Sequence, residues 1–168
     1  MNGIAEFKKV SREQFFGDLA AVFGESADCE AAYAAVQLPK RATAGSAGYD
    51  LVSPVSVTLY PGQSVKIPTG IRALMENGWV LLIFPRSGLG FKYRLQLDNT
   101  VGVIDSDYAF SDNEGHIFVK ITNDGREGRP VVIEAGSRFA QGIFVPFGVT
   151  VDDDASAVRN GGFGSTNN

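Results

Sequence analysis

Apolar residues in the first part of the chain recur at helical intervals. In residues 11–24 the apolar positions lie three or four apart, and Ser11 occupies the first position of a possible capping box. A second run, residues 27–38, is rich in alanine and ends before a proline. The pattern predicts a short helical prefix over residues 1–38.

Beyond this prefix the chain changes to short runs of strand-forming residues between turn signals. Val55, Val57 and Leu59 alternate with polar residues and are followed by a Pro-Gly turn. Evenly spaced short strands without helices between them are typical of a sandwich, a jelly roll or a barrel. The pattern therefore predicts an all-β domain over residues 39–151. The predicted strands are 55–59, 64–68, 79–84, 93–97, 116–122, 131–134 and 139–147.

The composition narrows the class of protein. The chain has 168 residues, which corresponds to one domain large enough to bury a core. Asp and Glu number 19 against 15 Lys and Arg, and this net charge of −4 argues against stable binding to nucleic acid. No run approaches the roughly 18 apolar residues of a membrane-spanning helix, so we expect no membrane association.

Cysteine usage indicates the compartment. Cys29 is the only cysteine, which excludes an internal disulfide and a zinc site built from several cysteines. We therefore expect a cytoplasmic protein.

Residues 85–90 form a candidate phosphate-binding segment after a predicted strand. Arg86 supplies a guanidinium, Ser87 a hydroxyl, and Gly88 a backbone N–H that a glycine leaves accessible. These groups suit phosphate oxygens. A surface turn with a solvated arginine is the alternative.

Residues 99–108 contain a candidate base. Asp105 directly follows an apolar run, where partial loss of water favours proton acceptance. In an extended strand Asp105 and Asp107 would share a face and could instead hold a divalent metal, or both could simply be solvated. His116, the single histidine, is expected at the surface of a strand without a catalytic role.

The last segment, residues 152–168, is polar and rich in glycine. Such a composition does not form a packed core, so we expect a tail that stays mobile until a ligand orders it. Within it, Arg159 and the hydroxyls of Ser165 and Thr166 surround Phe163, which suits a phosphate clamp with a ring that stacks on a base. A disordered tail is an equal alternative on composition alone.

With Ala-Gly-Tyr-Asp-Leu at 47–51 and Arg-Phe-Ala-Gln at 138–141, these segments resemble the five ordered motifs of the homotrimeric dUTP diphosphatase family over residues 39–166. The resemblance implies a jelly-roll-like β-barrel, three copies per molecule and active sites at the subunit interfaces. It also implies hydrolysis of dUTP to dUMP and pyrophosphate, which limits uracil in DNA and supplies dUMP for dTMP synthesis. The tail, 152–168, would close over the site.

The resemblance also assigns roles to residues. Asp105 matches the general base for water attack on the α-phosphorus, and Tyr108 matches the ring that leaves no room for a 2′-hydroxyl. Asp50 matches a residue that orients its surroundings. The residues matching the uracil site are Asn99, Gly102, Val103 and Ile104, with Phe118 and Phe163. Those matching the phosphate site are Arg86, Ser87, Gly88, Gln141, Arg159, Gly164, Ser165 and Thr166.

The implied cofactor is Mg²⁺, held mainly by the substrate phosphates and water, with no direct protein ligand. This weakens the interpretation of Asp105 and Asp107 as a metal pair.

The chain departs from the family pattern in three places, and two other functions compete. Residues 109–114 lengthen the segment after Tyr108, and the prefix is longer than usual and has no assigned role. In the last motif Arg159 lies one residue closer to Phe163 than is common, and Asn167 replaces the closing glycine. A dCTP deaminase is one alternative, but Lys120 stands where that family has its catalytic glutamate. A nucleotide-sensing or protein-binding module without catalysis is the other.

Overall fold

The structure is a computed structural model that describes residues 3–157 and Arg159. Within that part of the chain there are twelve strands, three α-helices and one 3-10 helix. The helices are α1 (Arg12–Phe23), α2 (Cys29–Ala35) and α3 (Ser87–Tyr93), and the 3-10 helix is Ser106–Phe110. The strands are β1 (Ala5–Lys9), β2 (Lys40–Arg41), β3 (Tyr49–Val52), β4 (Val57–Leu59), β5 (Ser64–Pro68), β6 (Ile71–Met75), β7 (Trp79–Pro85), β8 (Leu95–Leu97), β9 (Gly102–Ile104), β10 (Phe118–Asn123), β11 (Val131–Ile133) and β12 (Arg138–Pro146).

The strands form four sheets. The largest has the order β2-β3-β12-β7-β9, and a three-stranded sheet has the order β5-β10-β8. Two pairs, β1-β6 and β11-β4, complete the fold. All the pairings are antiparallel. The expected all-β architecture is confirmed as mostly β with few helices. The jelly-roll-like barrel is not closed within the described residues, because β2 and β9 lie at opposite edges of the largest sheet and do not pair with each other.

The N-terminal segment packs onto the sheets rather than lying apart from them. Phe15 and Leu19 on the inner face of α1 are fully buried, together with core residues such as Ile67 of β5. The Phe15 ring lies 5.6 Å from that of Tyr33 in α2. Burial of each such side chain contributes about 1.5–3 kcal/mol to folding. No helix in residues 3–157 is both long and apolar enough to cross a membrane.

The prefix is not purely helical, because it begins with a strand. β1 pairs with β6, and neither strand was predicted from the sequence. The sequence AEFKK offers one large apolar side chain, Phe7, whose ring packs 5.5 Å from Tyr49 and 5.6 Å from Phe144. Both partners are distant in sequence, so the local pattern could not identify the strand.

Helix α3 was also missed, since two glycines in seven residues argue against a helix. It starts after Arg86 and is closed by Arg94, which adopts the left-handed conformation at φ 53° and donates its N–H to the Gly90 carbonyl. The predicted strand 93–97 therefore begins only at Leu95. Residues 87 and 88 belong to this helix instead of to a loop.

Candidate functional site

The turn after β9 carries the candidate base. β9 ends at Ile104, and the 3-10 helix begins at Ser106, so Asp105 and Asp107 do not share a strand face as expected. Both carboxylates instead bind one guanidinium. Arg159 donates from Nη2 to Asp105 and from Nε to Oδ1 of Asp107, the latter at 2.9 Å. The Asp105 side chain remains 48% exposed. A carboxylate accessible to water thus lies against a cation.

Tyr108 lies on the same turn and is held at its hydroxyl. The hydroxyl donates to the carbonyl oxygen of His116 at 2.7 Å and accepts from Nδ2 of Asn113 at 2.9 Å. Burial raises the pKa of Tyr108, although the hydrogen bond from Asn113 acts in the opposite direction. The guanidinium carbon of Arg159 lies 6.0 Å from the centre of the Tyr108 ring.

A cavity of about 310 Å³ lies beside this turn, between β9 and β10. Four predicted uracil-site residues line it: Asn99, Gly102, Ile104 and Phe118. A Cβ atom on Gly102 would lie 3.0 Å from Cβ of Ile83, so a larger residue would press β9 away from β7. The structure therefore brings most of the predicted base site together.

Val103 differs from its neighbours in β9. Its side chain is 53% exposed, because alternate residues of a strand face opposite sides. Val103 is not among the residues that line the cavity.

Charged residues at this cavity were not predicted as site residues. Lys66 and Lys120 line the cavity and oppose each other on β5 and β10. The ammonium of Lys66 lies 4.6 Å from the centre of the Phe118 ring, and that of Lys120 lies 2.7 Å from Asp98. Partial burial raises the pKa of Asp98, but hydrogen bonds from Lys120 and Thr122 outweigh it and the net pKa is lowered. Strand register, which the sequence does not give, creates this cluster.

A second cluster contains the predicted phosphate residues. Asp50 of β3 lies 3.1 Å from Nε of Arg86 and accepts a 3.1 Å hydrogen bond from Nη1 of Arg138. Gln141 of β12 is paired with Asp50 in the sheet and donates to the carbonyl oxygen of Pro85 at 3.2 Å. The Asp50 side chain is only 13% exposed and contacts Arg86, which precedes Ser87 and α3, as well as Arg138, the first residue of β12. Arg138 had not been singled out from the sequence.

The two clusters are separated along β7. Ile104, next to Asp105, pairs with Leu81, whereas Arg86 lies five residues beyond Leu81. At about 3.3 Å per residue this is roughly 17 Å. Asp105 and Arg86 therefore start from well-separated backbone positions within one protomer.

Two further predicted features are a metal site and the C-terminal tail. Among residues 3–157 and Arg159, no three His, Cys, Asp or Glu side chains are grouped so that they could hold a metal ion. Four predicted site residues lie outside the described residues: Phe163, Gly164, Ser165 and Thr166.

The prediction for His116 was wrong, because the side chain is fully buried instead of lying at the surface. Its Nε2 accepts from the N–H of Gly70 at 2.8 Å, so Nδ1 carries the proton and donates to Asp18 at 2.6 Å. Burial lowers the pKa of His116, although Asp18 opposes this. The hydrogen bond between His116 and Asp18 joins helix α1 to the segment that follows Tyr108.

Comparison with known proteins gives a consistent result. A family profile described as dUTPase matches residues 34–167. The deoxyuridine 5′-triphosphate nucleotidohydrolase of Lactococcus lactis subsp. lactis is 46% identical over 136 residues, which cover 79% of this chain and 89% of that protein. The corresponding protein of Chromobacterium violaceum is 43% identical over 137 residues, covering 77% and 87%.

Solved structures agree with these sequence matches. The crystal structure of dUTPase from Streptococcus mutans has a TM-score of 0.63 and 38% identity, and the match covers 88% of this chain and 98% of that one. The chain therefore belongs to the dUTPase family, the dUTP diphosphatases.

Proposed function

We propose that the protein hydrolyses dUTP to dUMP and pyrophosphate by in-line attack of water on the α-phosphorus, with Asp105 as the general base. The observation that carries this proposal is the turn after β9. It presents a half-exposed carboxylate, Asp105, one residue beyond Ile104, which lines the cavity. A carboxylate so placed can take a proton from water beside a bound nucleotide. The reaction would limit uracil in DNA and supply dUMP for dTMP synthesis.

The cavity would hold uracil. Asn99 and the backbone around Gly102, Val103 and Ile104 would read the base, with Phe118 as an apolar wall. A pocket that pairs the uracil edge leaves hydrogen bonds unmade with cytosine and crowds the methyl group of thymine. The Tyr108 ring would lie under the deoxyribose and exclude a 2′-hydroxyl.

The second cluster would hold the triphosphate. Arg86, Ser87, Gly88 and Gln141 offer a guanidinium, a hydroxyl, a backbone N–H and an amide to phosphate oxygens. Asp50 would orient Arg86 through the 3.1 Å contact. By the family resemblance, Arg159, Gly164, Ser165 and Thr166 would add phosphate contacts from the tail, and Phe163 would stack on uracil.

Mg²⁺ fits this arrangement as an ion carried by the substrate. Mg²⁺ takes oxygen ligands and keeps several waters, so substrate phosphates and water supply most of its ligands. Gln141 would hold waters of the ion, and the ion would neutralise the phosphate charge.

The separation of the two clusters supports a homotrimer with active sites between subunits. Asp105 and Tyr108 would come from one subunit, and Arg86 with Gln141 from its neighbour. Residues 1–38 would form a prefix, residues 39–151 the catalytic domain, and the tail 152–168 a lid. This division would let the tail close on a site without joining the core.

Mixing two inactive variants tests the shared site. In trimers assembled from Asp105→Asn and Arg86→Ala subunits, some interfaces combine an intact Asp105 with an intact Arg86, so activity returns. Each variant alone stays inactive, and sedimentation shows that both form trimers. Mixed trimers without activity would place both residues in the site of a single chain.

Pyrophosphate release tests the reaction itself. The protein is incubated with Mg²⁺ and dUTP, dCTP, dTTP or UTP under identical conditions, and ammonia is followed in parallel. Release from dUTP alone is expected. Ammonia from dCTP would favour the deaminase, whereas dUTP binding without release would favour a nucleotide-sensing module.

A further inference from the structure

The segment 109–114, which interrupts the family pattern, is fastened to the N-terminal helix. The carboxylate of Glu114 accepts from the N–H of Ser11 at 2.8 Å and from its hydroxyl at 2.6 Å. These hydrogen bonds lower the pKa of Glu114 and keep it ionised. Ser11 is the N-cap of α1, where a negative charge is favourable. Two of the departures from the pattern, the segment and the prefix, are thus connected to each other.

The same segment holds the hydroxyl of Tyr108 through Asn113. The Asn113 Oδ1 accepts from the N–H of Gly115 at 3.1 Å, which turns Nδ2 toward the hydroxyl at 2.9 Å. The hydroxyl also donates to the carbonyl oxygen of His116. The hydroxyl therefore both donates and accepts a hydrogen bond within this part of the chain.

The return of the segment onto Tyr108 depends on a glycine. Gly115 adopts φ +69°, and a Cβ atom there would lie 2.5 Å from Cα of Ala109 and 2.7 Å from the carbonyl oxygen of Tyr108. The backbone of the segment is thus packed directly on the residue whose side chain Asn113 holds. Asn113 and Tyr108 are thus joined by a side-chain hydrogen bond and by backbone packing, and Glu114 joins the same segment to Ser11 at the start of α1.

We propose that Asn113 is a positioning residue for sugar selection: its hydrogen bond to Tyr108, anchored on α1 through Glu114, fixes the ring that excludes a 2′-hydroxyl. The inference rests on the proposed function, which places the Tyr108 ring under the deoxyribose. The Tyr108 ring excludes a single hydroxyl group only if the ring cannot shift by a fraction of an ångström. Such precise positioning requires supporting hydrogen bonds. The family-atypical segment then has a role in substrate specificity.

Substitutions at Asn113 test this role with dUTP and UTP as paired substrates. Asn113→Ala removes both hydrogen bonds, whereas Asn113→Asp keeps the acceptor for Gly115 but loses the donor to Tyr108. Both variants are expected to lower the ratio of kcat/KM for dUTP to that for UTP by about three- to tenfold. Asp112→Ala, at an exposed position of the same segment, is the control and leaves the ratio unchanged. Thermal unfolding confirms that each variant is folded.

A double-mutant cycle shows whether Asn113 acts through the hydroxyl. Tyr108→Phe keeps the ring and removes the hydroxyl, so Asn113→Ala is expected to change the ratio little in that background. Independent, additive losses would overturn the inference, as would an unchanged ratio in both single Asn113 variants. A wild-type enzyme that hydrolyses UTP as well as dUTP would overturn the proposed sugar selection together with it.

Discussion

The guanidinium of Arg159 donates to the carboxylate of Asp105, the proposed general base. The same guanidinium holds Asp107 at 2.9 Å. A carboxylate oxygen that accepts from an arginine has less capacity to accept from a water. A triphosphate competes for the cation, because phosphate oxygens are strong acceptors for guanidinium. A bound triphosphate would therefore compete with Asp105 for the guanidinium of Arg159.

The distinct roles of the two aspartates give the first prediction. Asp105→Asn is expected to lower kcat by about 10²–10⁴-fold, because the amide cannot accept the proton of the attacking water. Affinity for a non-hydrolysable dUTP analogue should change little. Stopped-flow pyrophosphate release and calorimetric titration measure the two quantities.

Asp107→Asn is the matched control for this prediction. It removes the other carboxylate that binds Arg159 but leaves the proposed base intact, so kcat is expected to stay within about tenfold of the wild type. If the Asp107 variant lost as much activity as the Asp105 variant, the ion pair with Arg159 and not proton transfer would explain both results.

The second prediction concerns the phosphate cluster. Asp50→Asn weakens the charged contacts that orient Arg86 and Arg138, and hydrogen bonds between charged groups contribute about 1.5–3 kcal/mol. Affinity for the dUTP analogue is expected to fall about tenfold, while affinity for dUMP, which has a single phosphate, falls less. Isothermal titration with both ligands provides the comparison.

Asp124→Asn serves as the control because it removes an exposed ion pair, with Arg94 at 2.9 Å, outside the proposed site. Its ligand affinities should match those of the wild type. Equal losses for dUTP and dUMP in the Asp50 variant would mean that Asp50 supports the fold of the site in general.

The resemblance to the family, and not the local pattern alone, assigned residues to the base site. Asn99, Gly102, Ile104 and Asp105 belong to one short segment, so their common location needs only the hairpin that joins them. Phe118, also assigned by the resemblance, lies on β10 and lines the same cavity. Spacing along the chain therefore explains why these residues lie together, whereas their role came from the resemblance.

Long-range contacts could not be predicted in the same way. The hydrogen bond between His116 and Asp18 joins residues 98 positions apart, and that between Glu114 and Ser11 spans 103. Each depends on how α1 packs against the sheets. The surface position expected for His116 was wrong for this reason: its sequence neighbours do not reveal the partners that allow a histidine to be buried.

Gly115 gives the third prediction, on stability. Gly115→Ala is expected to lower the free energy of unfolding by at least ~2 kcal/mol, because a Cβ meets backbone atoms at 2.5 and 2.7 Å and the residue has φ +69°. Gly128 has the same φ, but no atom lies within 4 Å of a Cβ there. Gly128→Ala is therefore expected to lower the free energy of unfolding only by the cost of the left-handed backbone conformation, about 1 kcal/mol.

Urea unfolding of the two variants separates these contributions. The larger loss at Gly115 reports the close contact with Ala109 and Tyr108, since both substitutions share the same backbone strain. Equal losses at the two positions would show that segment 109–114 is not packed tightly on Tyr108.

The buried histidine gives the fourth prediction, on the pH dependence of stability. Protonation of His116 at Nε2 would place a second N–H against the N–H of Gly70. Burial lowers the pKa of His116 below its ordinary value of 6.5, and Lys66 acts in the same direction, while Asp18 and Glu114 oppose the shift. The unfolded chain therefore binds more protons than the folded chain at pH values between the lowered pKa and 6.5.

The free energy of unfolding should consequently have its full value above about pH 6.5. It should decrease as the pH falls from 6.5 through the lowered pKa of His116. The depressed pKa values of Asp98 and Glu114 contribute in the same direction only at lower pH, because their ordinary values are 3.8 and 4.5. Urea midpoints at pH 7, 6 and 5 measure the decrease, and His116→Gln should flatten it. Because His116 is the only histidine in the chain, its single imidazole resonance gives the folded pKa directly. A folded pKa equal to 6.5 would remove the expected dependence and one above 6.5 would reverse its sign, and either result would exclude the neutral, buried imidazole as its cause.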